Sequence, residues 1–264
     1  MTPAALDGLT LRRLGQAGFE LIADGTVLYI DPFLTDYEGR LIPPHSQATP
    51  EDLAKADAIL VTHEHADHWD APALALMPDS DAVVIVPAPL EQMTRDAAPG
   101  RTIVPAYDGV PIRVGSAVIT PIPVVHGVAV EDGYGFAQNA AGEFPFMGYV
   151  VTIGGITLFH SGDALDYPEL AARLRELDVT LGLLPINGRD AEREAIGMVG
   201  NMTSAEVADL AIRAKLHTVI PMHYDMFAFN PGSPSEFTDH AATVAPDLTV
   251  TTLALGETIT LPAS

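Results

Sequence analysis

The sequence predicts an α/β (α+β) chain folded as a four-layer αββα sandwich, because two similar halves of short strands each deliver an aspartate and a histidine from strand ends, with helices between. In the first half, residues 19–23 and 26–30 flank Asp24-Gly25. That dipeptide suits a type I′ turn, so the segment reads as a β-hairpin ending at Asp31. In the second half, residues 149–153 and 156–160 repeat the design around Gly154-Gly155 and end near Asp163. Residues 58–62 form a short apolar run after a helical turn at 52–56, and residues 83–86 read as a buried strand. Residues 217–221 read as a strand running into His223, and residues 248–261 alternate like a closing hairpin. Pro168 suits the first turn of a helix whose apolar stripe is Leu170, Leu174 and Leu177. Thr203-Ser204-Ala205-Glu206 is a capping box, opening a helix with Val207, Leu210, Ala211 and Ala214 on one face. No Gly/Ser-rich or charge-rich linker divides the chain, so residues 1–264 are expected to form a single domain.

Composition narrows the function. Apolar residues make up 48% and charged residues only 18%, which argues for a folded core of some size. The absence of cysteine excludes disulfides, thiolate metal sites and a cysteine nucleophile. A net charge of -22 repels phosphate backbones, so nucleic acid is a disfavoured partner and a small-molecule substrate is expected. No signal-peptide pattern opens the sequence and no apolar run approaches the roughly 20 residues of a membrane span, so no membrane partner is expected and the cytoplasm is the default location. A homo-oligomer is left open.

The chemistry concentrates in Thr62-His63-Glu64-His65-Ala66-Asp67-His68-Trp69, directly after a buried strand. Imidazole nitrogen and carboxylate oxygen suit zinc, manganese or iron(II). A tight loop after a strand can aim His63 and His65 one way, with Asp67 and His68 turned toward a neighbouring point. Two adjacent metals are the expectation, and a single metal held by the first two histidines is the rival. Further ligands must come from afar: His126 after the apolar residues 121–125, Asp163 after a glycine, and His223 at the end of its strand. Taken singly each also suits an ordinary surface or capping role. His160 falls within a strand and reads as packing or support for the site.

With these residues in place, the sequence resembles the metallo-β-lactamase superfamily, whose hallmark is His-x-His-x-Asp-His. It is similar more narrowly to the L-ascorbate-6-phosphate lactonase-like branch, through Leu14-Gly15-Gln16-Ala17-Gly18-Phe19, Ile30-Asp31-Pro32-Phe33-Leu34, Phe159-His160-Ser161-Gly162-Asp163, Pro185-Ile186-Asn187-Gly188-Arg189-Asp190, Gly200-Asn201-Met202-Thr203 and Ile220-Pro221-Met222-His223-Tyr224-Asp225. The resemblance implies an αββα fold. It also implies that His63, His65 and His126 hold one metal, that Asp67, His68 and His223 hold a second, and that Asp163 bridges them.

The expected activity is hydrolysis by a hydroxide shared between two divalent cations, Mn2+ or Zn2+ with Fe2+ also admissible. Two such ions about 3.5–4 Å apart can bring the pKa of a shared water near 7. The target would be a lactone or another cyclic or ester bond of a small, phosphorylated or carboxylated molecule. Asp67 would orient the hydroxide or protonate the leaving group. Asn187 would polarise a carbonyl or serve a turn, and Arg189 would fork onto an anion or pair with Asp190 or Glu192. Asp31 and Asp225 would orient metal histidines, and Asn201 would contact substrate or form a turn. Residues 35–50 and 127–145 would form a lid. The alternatives are a phosphodiesterase or phospholipase D-like phosphoester hydrolase, and, from other classes, a non-catalytic metal-binding protein or a mononuclear iron oxygenase. Histidine at position 65, where flavodiiron reductases carry glutamate, argues against redox chemistry.

Overall fold

The computed structural model describes residues 8–263. Alternating and fully apolar runs form strands that assemble into two sheets. The first contains β1 (Leu9–Gly15), β2 (Gly18–Ala23), β3 (Thr26–Ile30), β4 (Ala58–Leu60), β5 (Val83–Pro87), β6 (Thr102–Ala106) and β14 (Thr258–Leu261), in the spatial order β14-β1-β2-β3-β4-β5-β6. The second contains β7 (Ile112–Val114), β8 (Ala117–Pro123), β9 (Met147–Ile153), β10 (Ile156–His160), β11 (Leu181–Pro185), β12 (Thr218–Met222) and β13 (Thr249–Val250), in the order β13-β12-β11-β10-β9-β8-β7. Each sheet begins with antiparallel hairpins and continues with parallel strands.

Both predicted hairpins form, in the expected register. Ala23 faces Thr26 across the first turn and Ile153 faces Ile156 across the second. The turn residues Asp24 (φ 50°), Gly25 (φ 76°), Gly154 (φ 57°) and Gly155 (φ 77°) all lie in the left-handed region, as a type I′ turn demands.

The four layers follow from where alternate side chains go. Leu28, Ile30, Leu60 and Ile85 of the first sheet pack against Tyr149, Val151, Leu158 and Ile220 of the second. Their neighbours Tyr29, Ile59 and Val84 point the other way. There they pack with Leu53 of α1 (Pro50–Leu53) and Leu74 of α2 (Ala71–Leu76), near α3 (Glu91–Ala97). On the far side of the second sheet, Val150, Leu184 and Val219 meet Leu174 of α4 (Leu170–Glu176), Leu210 of α6 (Ser204–Ala214) and Phe237 of α7 (Pro234–Val244). The short α5 (Ala191–Ala195) lies on a surface loop. Three apolar layers therefore separate four layers of structure, and the αββα expectation holds. Among the described residues no helix is long and apolar enough to cross a membrane.

Two readings of the sequence need correction. Residues 248–261 are not a hairpin: β13 runs parallel to β12 in the second sheet, whereas β14 runs antiparallel to β1 in the first. An alternating pattern reports one buried face and does not say which sheet buries it. Pro168 lies two residues before α4, in the turn that precedes it, although Leu170 and Leu174 are buried as expected.

The capping box of α6 forms in both directions, with the Thr203 hydroxyl accepting from the Glu206 N–H and the Glu206 carboxylate accepting from the Thr203 N–H. Thr203→Ala should therefore lower stability by about 1 kcal/mol, read as a shifted denaturation midpoint at unchanged slope.

Candidate metal centre

The loop after β4 is fixed before any ligand is reached. The Tyr149 hydroxyl donates to the Val61 carbonyl (2.7 Å), and the Met147 N–H donates to the Thr62 carbonyl (3.0 Å). Asp31, at φ 45° just beyond β3, accepts from the Thr62 N–H (2.8 Å) and hydroxyl (2.6 Å). Its Oδ2 also lies 2.7 Å from His68 Nδ1. A fully buried carboxylate thus turns the imidazole of His68 so that Nε2 faces the site. The expected orienting role of Asp31 is met.

The ligands from the second sheet are equally constrained. Asp163 follows Gly162 (φ 58°), where an added Cβ would lie 2.6 Å from Thr62 Oγ1, so only glycine fits. The buried His160 ring accepts from the Gly162 N–H at Nδ1 (3.1 Å), and its Nε2 lies 2.7 Å from the Ala17 carbonyl. It fastens the Asp163 turn to the first sheet, in line with the supporting role expected of it. His223 has φ 61°, and its N–H donates to the Gln16 carbonyl (3.0 Å). Non-glycine residues in this region cost about 1 kcal/mol or more each, and here they cluster at the site.

All seven candidates converge. One atom from each of His63, His65, His126 and Asp163 lies within 4.8 Å of the others, and the same is true of Asp67, His68 and His223. Asp163 stands between the groups. Its Oδ1 is 3.2 Å from His68 Nε2 and 3.1 Å from His223 Nε2, and its Oδ2 is 3.7 Å from His126 Nε2. Asp67 Oδ2 is 3.4 Å from His223 Nε2. The donor set fits divalent cations on the state of its nitrogens. Among the described residues, both nitrogens of the fully buried His126, and His68 Nε2, have no hydrogen-bond partner. Buried polar atoms left this way are costly unless something binds them.

Sequence reasoning missed Gln16 as a site residue. It sits at φ 50° in the turn between β1 and β2, donates from Nε2 to Asp67 Oδ2 (2.6 Å), and lies 3.0 Å from His223 Nε2. The only signal was its place in Leu14-Gly15-Gln16-Ala17-Gly18.

The electrostatics divide the imidazoles. Burial pushes His63 and His126 down, His126 to about 3, and both stay neutral. Burial acts the same way on His68 and His223, but Asp163 and Asp67 outweigh it. His68 is raised well above the ordinary value and His223 to about 9. Against the burial that opposes them, His223 and His68 hold Asp163 well below the usual carboxylate range, and Asp67 is lowered by the same neighbours.

The site opens into a cleft of about 260 Å³, with His65, Asp67, Asp163 and His223 among its lining. Tyr37, Phe227 and Phe229 form one wall, and Val128, Met198 and Val199 line it elsewhere. Residues 35–50 and 127–145, expected as a lid, each contribute one side chain, Tyr37 and Val128. Residues 197–199 and 227–230 supply more, and no motif announced them.

Three expected roles are corrected by the contacts. Arg189 does not line this cleft; its guanidinium forks onto Glu206 at 2.7 and 2.6 Å, neither of the acids expected as its alternative. The partner is the carboxylate that already caps α6, so the fork is spent. Asn187 is buried away from the cleft and bonds Asn230 and Asn201, and Asn201 is itself fully buried. Asp225 pairs with the buried Arg13 at 2.5 Å and orients no candidate histidine, because a buried guanidinium demands the charge.

Residues 26–224 match the family model described as a beta-lactamase superfamily domain. A UPF0173 metal-dependent hydrolase of Rubrobacter xylanophilus is 30% identical over 97% of this chain and 98% of its own length. Another from Thermococcus onnurineus is 31% identical over 86% of this chain and 89% of its own. The solved structure of a metallo hydrolase from Ignicoccus hospitalis superposes with a TM-score of 0.71 at 23% identity, covering 96% of this chain and 98% of that one.

Two outcomes are expected. The raised His68 and His223 stabilise the metal-free fold fully below the unfolded histidine value of about 6.5, and the contribution of His223 is lost as pH rises through about 9. Chelator-treated protein should melt at lower temperature at pH 9.5 than at pH 7 in thermal scans, and an unchanged or rising Tm would contradict the assignment. Arg189→Ala should cost no more than about 1 kcal/mol, without changing metal content or the relative rates on neutral and anionic esters.

Proposed function

The chain belongs to the beta-lactamase superfamily, among the UPF0173 metal-dependent hydrolases, and on that premise we propose that it is a binuclear hydrolase acting on a lactone or other ester bond of a small molecule. It is a metal-dependent hydrolase of the metallo-β-lactamase fold. The observation that carries the binuclear reading is Asp163, whose two oxygens face different ligand groups. In this reading His63, His65 and His126 hold one cation, Asp67, His68 and His223 hold the other, and Asp163 serves both. The donors are nitrogen and oxygen only, which suits manganese or zinc, and iron(II) as well.

When bound, the cations supply an acidified water and a counter-charge for the attacked group. The protein's own side chains do the rest. Asp31 and Thr62 hold the orientation of His68, and the Gln16 amide donates to Asp67 Oδ2, leaving the other carboxylate oxygen free of that bond. Asp67 then orients the water or passes a proton to the leaving oxygen. Hydrolysis consumes one water. Its oxygen bonds to the carbonyl carbon, the carbon–oxygen ester bond breaks, one proton goes to the leaving alcohol and the other leaves the acid product. The lactonase-like branch is favoured within the superfamily by the motif matches around Gln16, Asp163 and His223, and the modest cleft volume agrees with a small substrate.

Elemental analysis of protein purified without chelator should find two equivalents of metal per chain, with turnover of lactones or aryl esters. Asp163→Ala should lose metal from both groups and reduce turnover by at least about a hundredfold. Full two-metal occupancy and normal activity in that variant would overturn the bridging assignment.

A further inference from the structure

The charge lining the cleft is one-sided. Apart from His65 and His223, whose nitrogens belong to the candidate metal groups, the described residues that line it include no basic side chain. The arginines nearby are all committed elsewhere. Arg40 donates to the carbonyls of Phe33, Thr35 and Ile42 and lies 4.4 Å over the Phe33 ring. Arg189 is forked onto Glu206. Arg193 is held by Asp190 at 2.7 Å and by the Asn187 carbonyl at 2.8 Å. Among the described residues no cationic side chain is left in the cleft to receive a carboxylate or phosphate beyond the metal groups themselves. The chain's net charge of -22 opposes an anion further.

The walls, in contrast, are apolar and exposed. Tyr37 is 50% exposed, Phe229 50% and Val128 57%. Single exposed apolar side chains are ordinary, but several around one cleft mouth mark a binding surface. Phe227 stacks on Phe229 at 5.1 Å and takes the Tyr37 ring edge-on at 6.0 Å, so the aromatic wall is organised before any ligand arrives. Arg40 fastens the loop that carries Tyr37, and a β-bridge joins Arg40 to Phe227.

Besides the Tyr37 hydroxyl, one neutral polar side chain interrupts these walls. Asn230 lines the cleft, and its Oδ1 accepts from Asn187 Nδ2 (2.9 Å) and from Arg193 Nη1 (2.8 Å). A guanidinium can only donate, so the Asn230 oxygen must face it. The side-chain NH2 is then the end left for the cleft. Asn201 Nδ2 donates to Asn187 Oδ1 (3.1 Å), so the arrangement is locked from behind. Asn187, expected to polarise a carbonyl or to serve a turn, instead holds the Asn230 oxygen.

We infer that the cleft takes an uncharged, apolar ester or lactone, seated between the Tyr37–Phe227–Phe229 wall and Val128, Met198 and Val199, with the Asn230 amide donating to the substrate's carbonyl oxygen. This rests on the hydrolase reading for the reaction but not for the class of ligand. It replaces the phosphorylated or carboxylated substrate that the sequence suggested.

The test uses matched pairs differing by one carboxylate. Metal-loaded protein is assayed with p-nitrophenyl hexanoate and mono-p-nitrophenyl adipate. Chelator-treated protein is titrated calorimetrically with N-phenylhexanamide and the monoanilide of adipic acid. The neutral member should be favoured by about tenfold or more in kcat/KM and in affinity, and Asn230→Ala should lose about tenfold on it at unchanged metal content. Phe229→Lys should shift the preference toward the carboxylate. Equal or tighter binding of the anionic anilide, or binding of neither, would overturn the inference. An undiminished Asn230→Ala would remove the assigned hydrogen bond. Selective binding of the neutral anilide without cleavage of any ester would leave the ligand class standing and sink the hydrolase reading.

Discussion

Asp163 is where the two halves of the sandwich meet. One oxygen of its carboxylate faces His68 from the first sheet and His223 from the second, while the other is turned toward His126. A buried carboxylate amid buried imidazoles is unstable unless opposite charge reaches it. That requirement explains much around it. Gly162 allows the turn that brings the carboxylate in, His160 ties that turn to Ala17, and Asp31 turns the His68 ring to meet it. The left-handed backbones of Gln16, Asp31 and His223 are held in the same way, Gln16 and His223 by the hydrogen bond between them and Asp31 by its bonds to Leu60 and Thr62.

The parts of this architecture written in local chemistry were legible in the sequence. Asp24-Gly25 and Gly154-Gly155 name a turn type, the turn type sets the register, and the register decides which residues face the core. Thr203 and Glu206 mark a helix start by their spacing alone. The histidine-rich loop is legible because scarce metal-binding side chains rarely crowd by chance. What escaped was decided across the fold. Gln16 lies in a matching stretch that does not say what its side chain does, and its role comes from a left-handed backbone that carries it to Asp67 and His223. Arg189 sits beside two acids in sequence yet pairs with one seventeen positions away, because the capping carboxylate of α6 is already fixed in place. The aromatic wall draws on Tyr37, Phe227 and Phe229, from loops on different sheets that the Arg40–Phe227 bridge and the Leu41–Met226 hydrogen bond bring together.

The cleft separates two jobs that phosphate- or carboxylate-handling enzymes often join. Charge is concentrated at the floor, where imidazoles and carboxylates balance one another, and the walls are left to van der Waals contact and one amide. The arginines that could have made the walls cationic serve as struts: Arg13 under the loop after β12, Arg40 in the loop after β3, Arg193 behind Asn230. Rigid walls built this way bind by shape and desolvation, so discrimination among ligands should track apolar area more than charge.

The last strands carry a different message, about how the chain is made. Leu9 of β1 pairs with Leu261 of β14, joining residues from nearly opposite ends of the described chain, while β13 has already closed the edge of the other sheet. During synthesis on the ribosome, the outer edge of β1 must wait, unpaired, until the other described strands have emerged. Its exposed N–H and C=O groups are a template for another copy in the meantime. The exposure is therefore concentrated in time, at the interval between folding of the hairpins and arrival of β14, and a chain cut off before that strand keeps the β1 edge of the first sheet open.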